Sequence, residues 1–337
     1  MDILNNVSLR KYNTFGIDVK ALFFACITKP EQLQEVLSSK GVRSLPFLIL
    51  GGGSNVLFTG NVEKLVLKVD IQGIKQELID NEHVLVTAGA GENWDSFVQY
   101  CVNQNWGGLE NLSLIPGTVG ASPIQNIGAY GAEIKDVFSH LEALDMSDFT
   151  IRRFTLPECR FGYRDSVFKN ELKNRFLIIS VSFLLSTQPK PNLSYPALKN
   201  ELVNSGSGIT IREVADTVSR IRRSKLPDPS EIGNAGSFFK NPVINVTHFN
   251  ELKEKHPDLP SFPADNNKVK LPAAWLIDKC GWKGRRIGDA GVHTKQALVL
   301  VNYGNASGME ILELSQRIKE SVYNRFNIYL DTEVNII

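Results

Sequence analysis

The sequence lacks long hydrophobic runs, paired cysteines and an excess of charge of one sign, and each absence excludes a class of protein. Its apolar runs, such as residues 47–50 and 297–301, are strand-sized and cannot span a bilayer, and its N-terminus shows no secretory signal. Its 4 cysteines include no CxxC pair, which favours reduced, mostly buried thiols over a disulfide framework. With 37 basic and 36 acidic side chains the formal net charge is +1, so nothing indicates a nucleic-acid partner. We therefore expect a cytoplasmic protein that neither enters a membrane nor binds nucleic acid.

Several common catalytic motifs are also missing from the sequence. There is no GxxxxGK[ST] phosphate loop and no GxGxxG after a strand, so neither a nucleoside triphosphatase nor a Rossmann dinucleotide site is supported. The HExxH motif and the GxSxG nucleophile elbow are absent too. The 5 histidines are dispersed, so we expect no metal site and interpret a lone histidine such as His293 as structural.

The pattern of apolar residues predicts short strands and helices along the whole chain. Strands are predicted at residues 22–27, 47–50, 65–69, 84–87, 141–146, 151–154, 176–185 and 297–301, and again at the extreme C-terminus. Capping boxes predict helix starts at Thr28, Thr210 and Ser307. Further helices are predicted at residues 92–105, 249–255 and 272–280. The polar residues 204–208 are predicted to form a loop or linker, and the helix-breaking KLPDP at residues 225–229 predicts a domain boundary.

Three consecutive glycines follow the predicted strand at residues 47–50. In GGGSN (residues 51–55, the first glycine loop), the glycines permit a turn with positive φ and expose successive amide N–H groups to an anion. A tight turn that happens to be rich in glycine would give the same pattern. The first glycine loop alone therefore leaves both interpretations open.

A second stretch, IPGTVGASPIQNIGAYG at residues 115–131 (the second glycine loop), is dense in glycine and has almost no strand or helix period. Small residues allow the backbone to approach a flat ligand closely, and unpaired N–H donors suit a pyrophosphate. The alternative is a buried connector that satisfies its own backbone groups. Two such loops without a Rossmann motif predict a dinucleotide bound in a different fold. The predicted cofactor-binding residues are Gly51, Gly52, Gly53, Ser54, Asn55, Pro116, Gly117, Gly120, Ala121, Ser122, Gln125, Asn126, Gly128, Tyr130 and Gly131.

The two glycine loops are followed in order by YRDS (residues 163–166), KLPDP and GNAGSFFKNP (residues 233–242). This series resembles the UDP-N-acetylenolpyruvoylglucosamine reductase (MurB) family of the vanillyl-alcohol-oxidase-like flavoproteins, from Asn13 to Glu333. The resemblance implies an α+β protein with a two-subdomain FAD-binding fold of the vanillyl-alcohol-oxidase type plus a C-terminal α+β substrate-binding domain. The implied domains are residues 1–70 joined by 327–337, residues 71–224, and residues 225–326.

The resemblance implies FAD as cofactor, NADPH as hydride donor and reduction of the enolpyruvyl ether of UDP-N-acetylglucosamine to UDP-N-acetylmuramate in peptidoglycan synthesis. Such a reaction needs a cation at the substrate carboxylate and an acid for the adjacent carbon. The family's motifs match Arg164 to the cation, Ser237 to the proton donor and Glu333 to a carboxylate that polarises the enolate. Simpler interpretations exist: Ser237 would start a strand, Arg164 would pair with the neighbouring aspartate, and Glu333 would be surface charge. Thr332 stands where family members commonly have proline.

The resemblance also implies contacts with the sugar nucleotide, at Tyr163, Tyr195, Lys225, Asn241 and Gln296. Tyr195 lies on a proline-bearing segment (residues 188–196) and matches a tyrosine that folds over the uridine diphosphate in the family's longer subtype. A lysine beside a diphosphate is electrostatically favourable, although each of these residues would also suit a solvated surface. We expect the protein to be a monomer.

Two rival functions stay open at the level of sequence. One is an FAD-dependent oxidase of the same superfamily that uses oxygen, although no histidine or cysteine near the glycine loops offers covalent attachment of flavin. The other is a nucleotide-sugar-binding or transferase protein without redox activity. The flavin absorbance of the purified protein separates the second rival from the reductase.

Overall fold

The computed structural model describes residues 2–43, 45–202, 208–264 and 267–337. The chain folds into two compact units. The first unit comprises Met1–Val7, Ala21–Gly53 and Glu63–Ser224, and the second comprises Ser8–Lys20, Ser54–Val62 and Lys225–Ile337. The finer division predicted above, with boundaries after residues 70, 224 and 326, stays a prediction.

The described residues form short strands and helices in a mixed order. The strands are β1 (Leu4–Ser8), β2 (Lys20–Ile27), β3 (Phe47–Leu50), β4 (Val56–Leu57), β5 (Val62–Val69), β6 (Ile74–Leu78), β7 (His83–Gly89), β8 (Gly128–Ala129), β9 (Ala132–Glu133), β10 (Phe138–Asp145), β11 (Ile151–Thr155), β12 (Phe176–Ser186), β13 (Gly233–Ser237), β14 (Val243–Asn245), β15 (Phe262–Ala264), β16 (Lys268–Lys270), β17 (Arg286–Ile287), β18 (Ala290–Val292), β19 (Val299–Asn302) and β20 (Asn335–Ile336). The helices are α1 (Gln32–Ser38), α2 (Trp94–Asn103), α3 (Leu156–Cys159), α4 (Pro196–Leu202), α5 (Ile211–Lys225), α6 (Val246–Lys255), α7 (Ala273–Lys279) and α8 (Gly308–Phe326).

Two larger sheets and the short β8-β9 pair build the described part of the first unit. One has the order β1-β2-β5-β3, with β3 parallel to β5, and the other has the antiparallel order β11-β10-β12-β7-β6. Strand β12 reads as a nearly continuous apolar run because it lies centrally and is buried on both faces. Helix α2 packs Trp94 and Phe97 against Phe183 of β12, with ring centroids 5.9 and 5.4 Å from that ring. The second glycine loop follows α2 and the 3₁₀ turn Glu110–Leu112 and therefore begins at this core.

The second unit is built from smaller sheets and the longest helix. The sheets have the orders β13-β19-β18-β17 and β14-β16-β15, and the short strands β20 and β4 pair in parallel. Helix α8 buries Ile311, Leu314, Ile318 and Val322 on one face, as its helical period predicts. Pairing of β20 with β4 brings the C-terminus beside the end of the first glycine loop, in the same unit.

Two of the three predicted capping boxes are confirmed. Ser307 and Glu310 cap α8 reciprocally, and Thr210 accepts from and donates to Glu213 at the start of α5. The box predicted at Thr28 is wrong, because the side chain of Gln32 accepts both the N–H and the hydroxyl of Thr28 and so closes this turn itself. The predicted loop at residues 204–208 lies outside the described residues except for Gly208.

Other predicted elements are confirmed with shifted ends. Helix α2 begins later than predicted because the Asn93 side chain accepts the N–H of Ser96 at 3.0 Å and caps it there. The predicted strand at residues 297–301 is shifted to β19, and the strand predicted at the C-terminus is confirmed as β20. Strands β1, β4, β6, β8, β9 and β13–β18 were not predicted. All four cysteines are free thiols. Within the described part of the chain, no helix is long and apolar enough to cross a membrane.

Candidate active site

The two glycine loops meet inside the first unit. A Cβ atom on Gly52 would lie 2.8 Å from the Cα of Gly117, and a Cβ on Gly51 would lie 2.8 Å from the Oγ1 of Thr118. No other residue fits these two positions without moving backbone or the threonine. The glycines of GGGSN are therefore required for contact between the loops, which a solitary tight turn would not need.

The junction of the loops carries unused hydrogen-bond donors. Thr118 Oγ1 is buried and has no hydrogen-bond partner among the residues that the structure describes. The backbone N–H groups of Gly52 and Thr118 likewise donate to no described acceptor. Buried polar groups are normally paired, so such a set of donors is typical of a site for an anionic ligand. These donors fit a dinucleotide pyrophosphate, and Gly51, Gly52, Gly117 and Thr118 would hold it.

Hydrogen bonds within the second glycine loop and to Ala90, just after β7, anchor this loop. Gly120 packs its Cα against Ala90 and donates to the Ala90 carbonyl at 2.9 Å, and the Ser122 hydroxyl donates to the Val119 carbonyl at 2.7 Å. Pro116, Ala121 and Gln125 belong to the same segment. Lys169 Nζ donates to the Gln125 side chain at 3.4 Å.

Asn126 is fully buried and fixes the far end of the second glycine loop. Its Nδ2 donates to the Gly162 carbonyl and to the Glu133 carboxylate, both at 3.0 Å. It adopts a left-handed conformation, with φ of 45°, as do Tyr130 and Gly131 in the β8–β9 turn. These conformations turn the chain sharply and expose the backbone of Gly128 to Arg164.

Arg164 lies against the second glycine loop. It has φ of 52°, its guanidinium donates to the Gly128 carbonyl, and its Nη1 lies 3.8 Å from the Glu133 carboxylate. The guanidinium carbon lies 5.3 Å from the ring centre of Tyr163, within cation–π range. The side chain is only 18% exposed, so its charge is held in a defined position rather than in solvent.

Tyr195 is also brought to the second glycine loop. Its ring packs edge-on against Tyr130, with centroids 5.1 Å apart, and 38% of the residue stays exposed. Burial raises the pKa of the Tyr130 phenol, an effect that the nearby Arg222 guanidinium opposes. The rings of the two tyrosines thus form a partly exposed apolar surface beside the second glycine loop.

In the second unit, the segments of Ser237 and Glu333 are paired. The N–H of Glu333 donates to the Phe238 carbonyl at 2.9 Å, and a bridge joins Phe239 to Thr332. Ser237 ends β13 rather than starting a strand, and its partly buried hydroxyl has no hydrogen-bond partner among the described residues. The structure therefore brings the segments of these two predicted catalytic residues side by side.

Asn55 of the first glycine loop joins this pair. Its Nδ2 donates to the Glu333 carbonyl at 3.3 Å, and its own carbonyl accepts the N–H and the side chain of Asn335 at 3.1 and 3.0 Å. Gly53 belongs to the first unit, whereas Ser54 and Asn55 belong to the second. The GGGSN segment therefore supplies residues to both units.

The remaining predicted substrate residues lie in the second unit. Lys225 is exposed, and Gln296 is partly buried and accepts the N–H of Leu298 at 3.4 Å. The Asn241 side-chain oxygen accepts the N–H of Ala273 at 3.0 Å and so caps α7. The Asn241 side-chain oxygen is thus already used in the fold, and its amide N–H₂ group is the donor that suits a ligand.

Sequence reasoning missed four residues of this region. Thr118 lay inside the quoted loop but was not singled out, and Glu133 gave no signal before its pairing with Arg164 was seen. The side chains of Asn111 and Arg222 donate hydrogen bonds to backbone carbonyls of this region. Asn111 donates to Tyr130, and Arg222 donates to Leu114 at 3.1 Å. Burial lowers the pKa of the Arg222 guanidinium, while the nearby Tyr130 and Asp95 raise it. The sequence signal for Arg222 is its position four residues after Val218, on the same face of α5 as that buried residue.

Comparison with known proteins agrees with this geometry. Residues 21–155 match the model of an FAD binding domain, and residues 228–337 match the C-terminal domain of UDP-N-acetylenolpyruvoylglucosamine reductase. The reductase of Flavobacterium johnsoniae is 46% identical over all of both chains, and that of Pseudomonas aeruginosa is 48% identical over 100% of this chain and 99% of its own. The crystal structure of the reductase (MurB) from Thermus caldophilus has a TM-score of 0.68 and 24% identity, covers 99% of this chain and 98% of its own, and shows the shared fold.

The fold and the glycine-loop site define an α+β flavoprotein with an FAD-binding domain and a separate C-terminal domain. More specifically, the chain belongs to the UDP-N-acetylenolpyruvoylglucosamine reductase family. The predictions of family, fold class and FAD as cofactor are thereby confirmed. The roles of individual residues stay predictions.

Proposed function

We propose that the protein reduces the enolpyruvyl ether of UDP-N-acetylglucosamine to UDP-N-acetylmuramate, with NADPH as the source of hydride. The observation that carries the proposal is that one chain matches both the FAD-binding domain and the reductase C-terminal domain, and matches the reductases over its full length. We also propose that it acts as a monomer in the cytoplasm, where a nucleotide-sugar substrate is made.

Bound FAD would supply hydride transfer, a two-electron chemistry that no side chain provides. The chain's own part is to hold the cofactor and to prepare the substrate. The unpaired N–H groups of Gly52 and Thr118 and the buried Thr118 hydroxyl support binding of a pyrophosphate. The other residues predicted above would shape the surface that faces the cofactor.

Arg164 is proposed to face the substrate carboxylate. When hydride is added to the methylene carbon of the enolpyruvyl group, electron density moves onto the carboxylate and builds negative charge there. A guanidinium stays charged and presents several donors in a plane, which suits this developing charge. Its low exposure and its bond to the Gly128 carbonyl support the role, because a preorganised donor needs no rearrangement during the reaction.

Ser237 is proposed to give the proton that completes the product at the carbon beside the carboxylate, and Glu333 to polarise the enolate. The hydroxyl of Ser237 is not engaged by any described residue, so it is available for a substrate. A serine hydroxyl is a weak acid, so its position and local hydrogen bonds must make the transfer possible. The pairing between the segments of Ser237 and Glu333 supports a joint role.

The sugar nucleotide is proposed to contact Tyr163, Tyr195, Lys225, Asn241 and Gln296. Tyr195 offers a partly exposed ring beside the second glycine loop, and Lys225 offers an exposed ammonium for a diphosphate. We assign Tyr195 to a lid over the uridine diphosphate.

A direct experiment separates this function from its rivals. The purified protein should show flavin absorbance, and under nitrogen NADPH should be consumed beyond one equivalent per flavin only when the enolpyruvyl sugar nucleotide is present. Consumption of oxygen without the sugar nucleotide as acceptor would favour an oxidase. A colourless protein that binds the sugar nucleotide would favour a binding or transferase function.

A further inference from the structure

The segment that carries Tyr195 is tied to the second glycine loop by a buried asparagine. Asn111 is 1% exposed, and its Nδ2 donates to the Tyr130 carbonyl at 2.8 Å and to the Asn192 carbonyl at 2.9 Å. The two hydrogens of this one amide nitrogen thus form hydrogen bonds with two different segments of the chain. The first is the β8–β9 turn, and the second is the proline-bearing segment at residues 188–196.

The same two segments are joined by further contacts near Asn111. Asn192 Nδ2 donates to the Gly131 carbonyl at 3.1 Å, and Asn192 Oδ1 accepts the N–H of Ser194 at 3.0 Å. A Cβ on Gly131 would lie 2.5 Å from Ser194 Oγ, so the glycine allows the close approach. These bonds direct the chain from Asn192 to Tyr195 and set its ring against Tyr130.

Asn111 is itself held rigidly, which a positioning residue requires. It lies in a single 3₁₀ turn, Glu110–Leu112, where the Leu112 carbonyl accepts the indole N–H of Trp94 at 2.9 Å. The Glu110 carboxylate accepts the N–H of Gly108 at 2.6 Å and closes the other side of the turn. The turn is therefore buried in the core of the first unit.

We propose that Asn111 is a positioning residue that sets Tyr195 for the sugar nucleotide by fixing the segment of Asn192 to the second glycine loop. The inference rests on the proposed function of Tyr195. Aspartate at position 111 would place an anionic oxygen against one of the two carbonyls, and alanine would leave both without their donor. Asn111 is not itself among the residues proposed to bind FAD, whereas Tyr130, whose carbonyl it holds, is one of them.

The first readout is hydrogen exchange on the flavin-loaded protein. Asn111→Ala should speed exchange at the Ser194 amide about tenfold or more, because the loss of a buried donor frees the Asn192 segment to open. Asn200→Ala, an exposed change on α4 that breaks no described side-chain bond, is the matched control and should leave this rate unaltered. Unchanged exchange in Asn111→Ala would overturn the inference.

The second readout is kinetic and uses Tyr195→Ala. Asn111→Ala should raise KM for the sugar nucleotide about tenfold, with kcat and flavin reduction by NADPH changed less than about threefold. In the Tyr195→Ala background the same change should add less than about threefold, because residues that act through one contact are not additive. If the buried variant does not fold, Asn192→Ala should give the same pattern from the surface side.

The outcomes separate the two levels of the account. Full additivity of Asn111→Ala and Tyr195→Ala, in a wild-type protein that reduces the sugar nucleotide, would overturn the positioning role alone. An equal slowing of both half-reactions would assign Asn111 to the fold and overturn the role as well. A wild-type protein that shows no turnover of the sugar nucleotide would overturn the proposed function.

Discussion

The backbone N–H of Glu333 donates to the carbonyl of Phe238, the residue after Ser237, at 2.9 Å. This bond joins the end of β13 to the chain just before the C-terminus, and the bridge between Phe239 and Thr332 extends it. Because only backbone atoms take part, side-chain substitutions at these positions leave the pairing intact. The roles of the two side chains can therefore be tested without dismantling the fold.

Glu333→Gln should slow reoxidation of the reduced flavin by the enolpyruvyl sugar by about two orders of magnitude, because the charge that polarises the enolate is lost. Stability should change by no more than about 0.5 kcal/mol, as for a substitution that removes no backbone bond. Stopped-flow absorbance and urea unfolding measure the two effects. Glu320→Gln, on the exposed face of α8, is the matched control. A wild-type rate in Glu333→Gln would leave this carboxylate without a catalytic role.

Ser237→Ala should leave reduction of the flavin by NADPH nearly intact, because that half-reaction needs no proton for the sugar. Reoxidation by the enolpyruvyl sugar should slow by about two to four orders of magnitude, the usual worth of a positioned general acid. Ser237→Cys should recover part of the loss, since a thiol also donates a proton. Equal slowing of both halves would assign Ser237 to flavin binding or to the fold.

Gly52→Ala should weaken retention of FAD, because its Cβ would lie 2.8 Å from the Gly117 Cα and push the two glycine loops apart. The ratio of flavin absorbance to protein absorbance after gel filtration measures retention. Gly60→Ala is the control, since a Cβ there meets no atom within 4 Å. Full flavin content in both variants would show that the contact between the loops is dispensable for the cofactor.

Glu110 predicts a pH dependence of stability. Burial raises the pKa of its carboxyl group above the ordinary value of 4.5, although the N–H groups of Gly108, Glu110 and Leu109 oppose the shift. The folded state therefore favours the protonated form, so this contribution to stability is full below the unfolded pKa and is lost as pH rises through the folded pKa. Glu110→Gln keeps an oxygen acceptor but does not titrate.

The free energy of unfolding of the wild type should accordingly fall, relative to Glu110→Gln, as pH rises from about 4 toward 7. Urea unfolding at several pH values measures the difference. A difference that stays constant across this range would show that the carboxyl group titrates alike in the folded and unfolded states.

Local patterns predicted much of this molecule. Apolar runs located β3 and β12, the Ser307 box located α8, and ordered motifs pointed to the glycine loops and to Ser237. Each of these signals is contained in a short window of sequence. The prediction at Thr28 failed because a competing side chain, Gln32, closes the same turn. The local sequence contains both Glu31 and Gln32 as capping candidates and does not show which of them forms the bonds.

Long-range contacts were not predictable in the same way. Asn111 reaches carbonyls of two segments that lie far along the chain, and Asn55 reaches Glu333 close to the C-terminus. Asparagine in a loop has no periodicity that marks such a partner. The C-terminal strand was predicted, but its parallel pairing with β4 was not, because both strands are only two residues long.

The central claim is that electrons pass from NADPH through bound flavin to the enolpyruvyl sugar nucleotide. Anaerobic stopped-flow absorbance of the purified flavoprotein tests it most directly. NADPH should bleach the flavin, and mixing the reduced protein with the enolpyruvyl sugar nucleotide should restore the oxidised spectrum with formation of one UDP-N-acetylmuramate per flavin. A flavin that NADPH does not reduce, or a reduced flavin that oxygen reoxidises but the sugar nucleotide does not, would contradict the account.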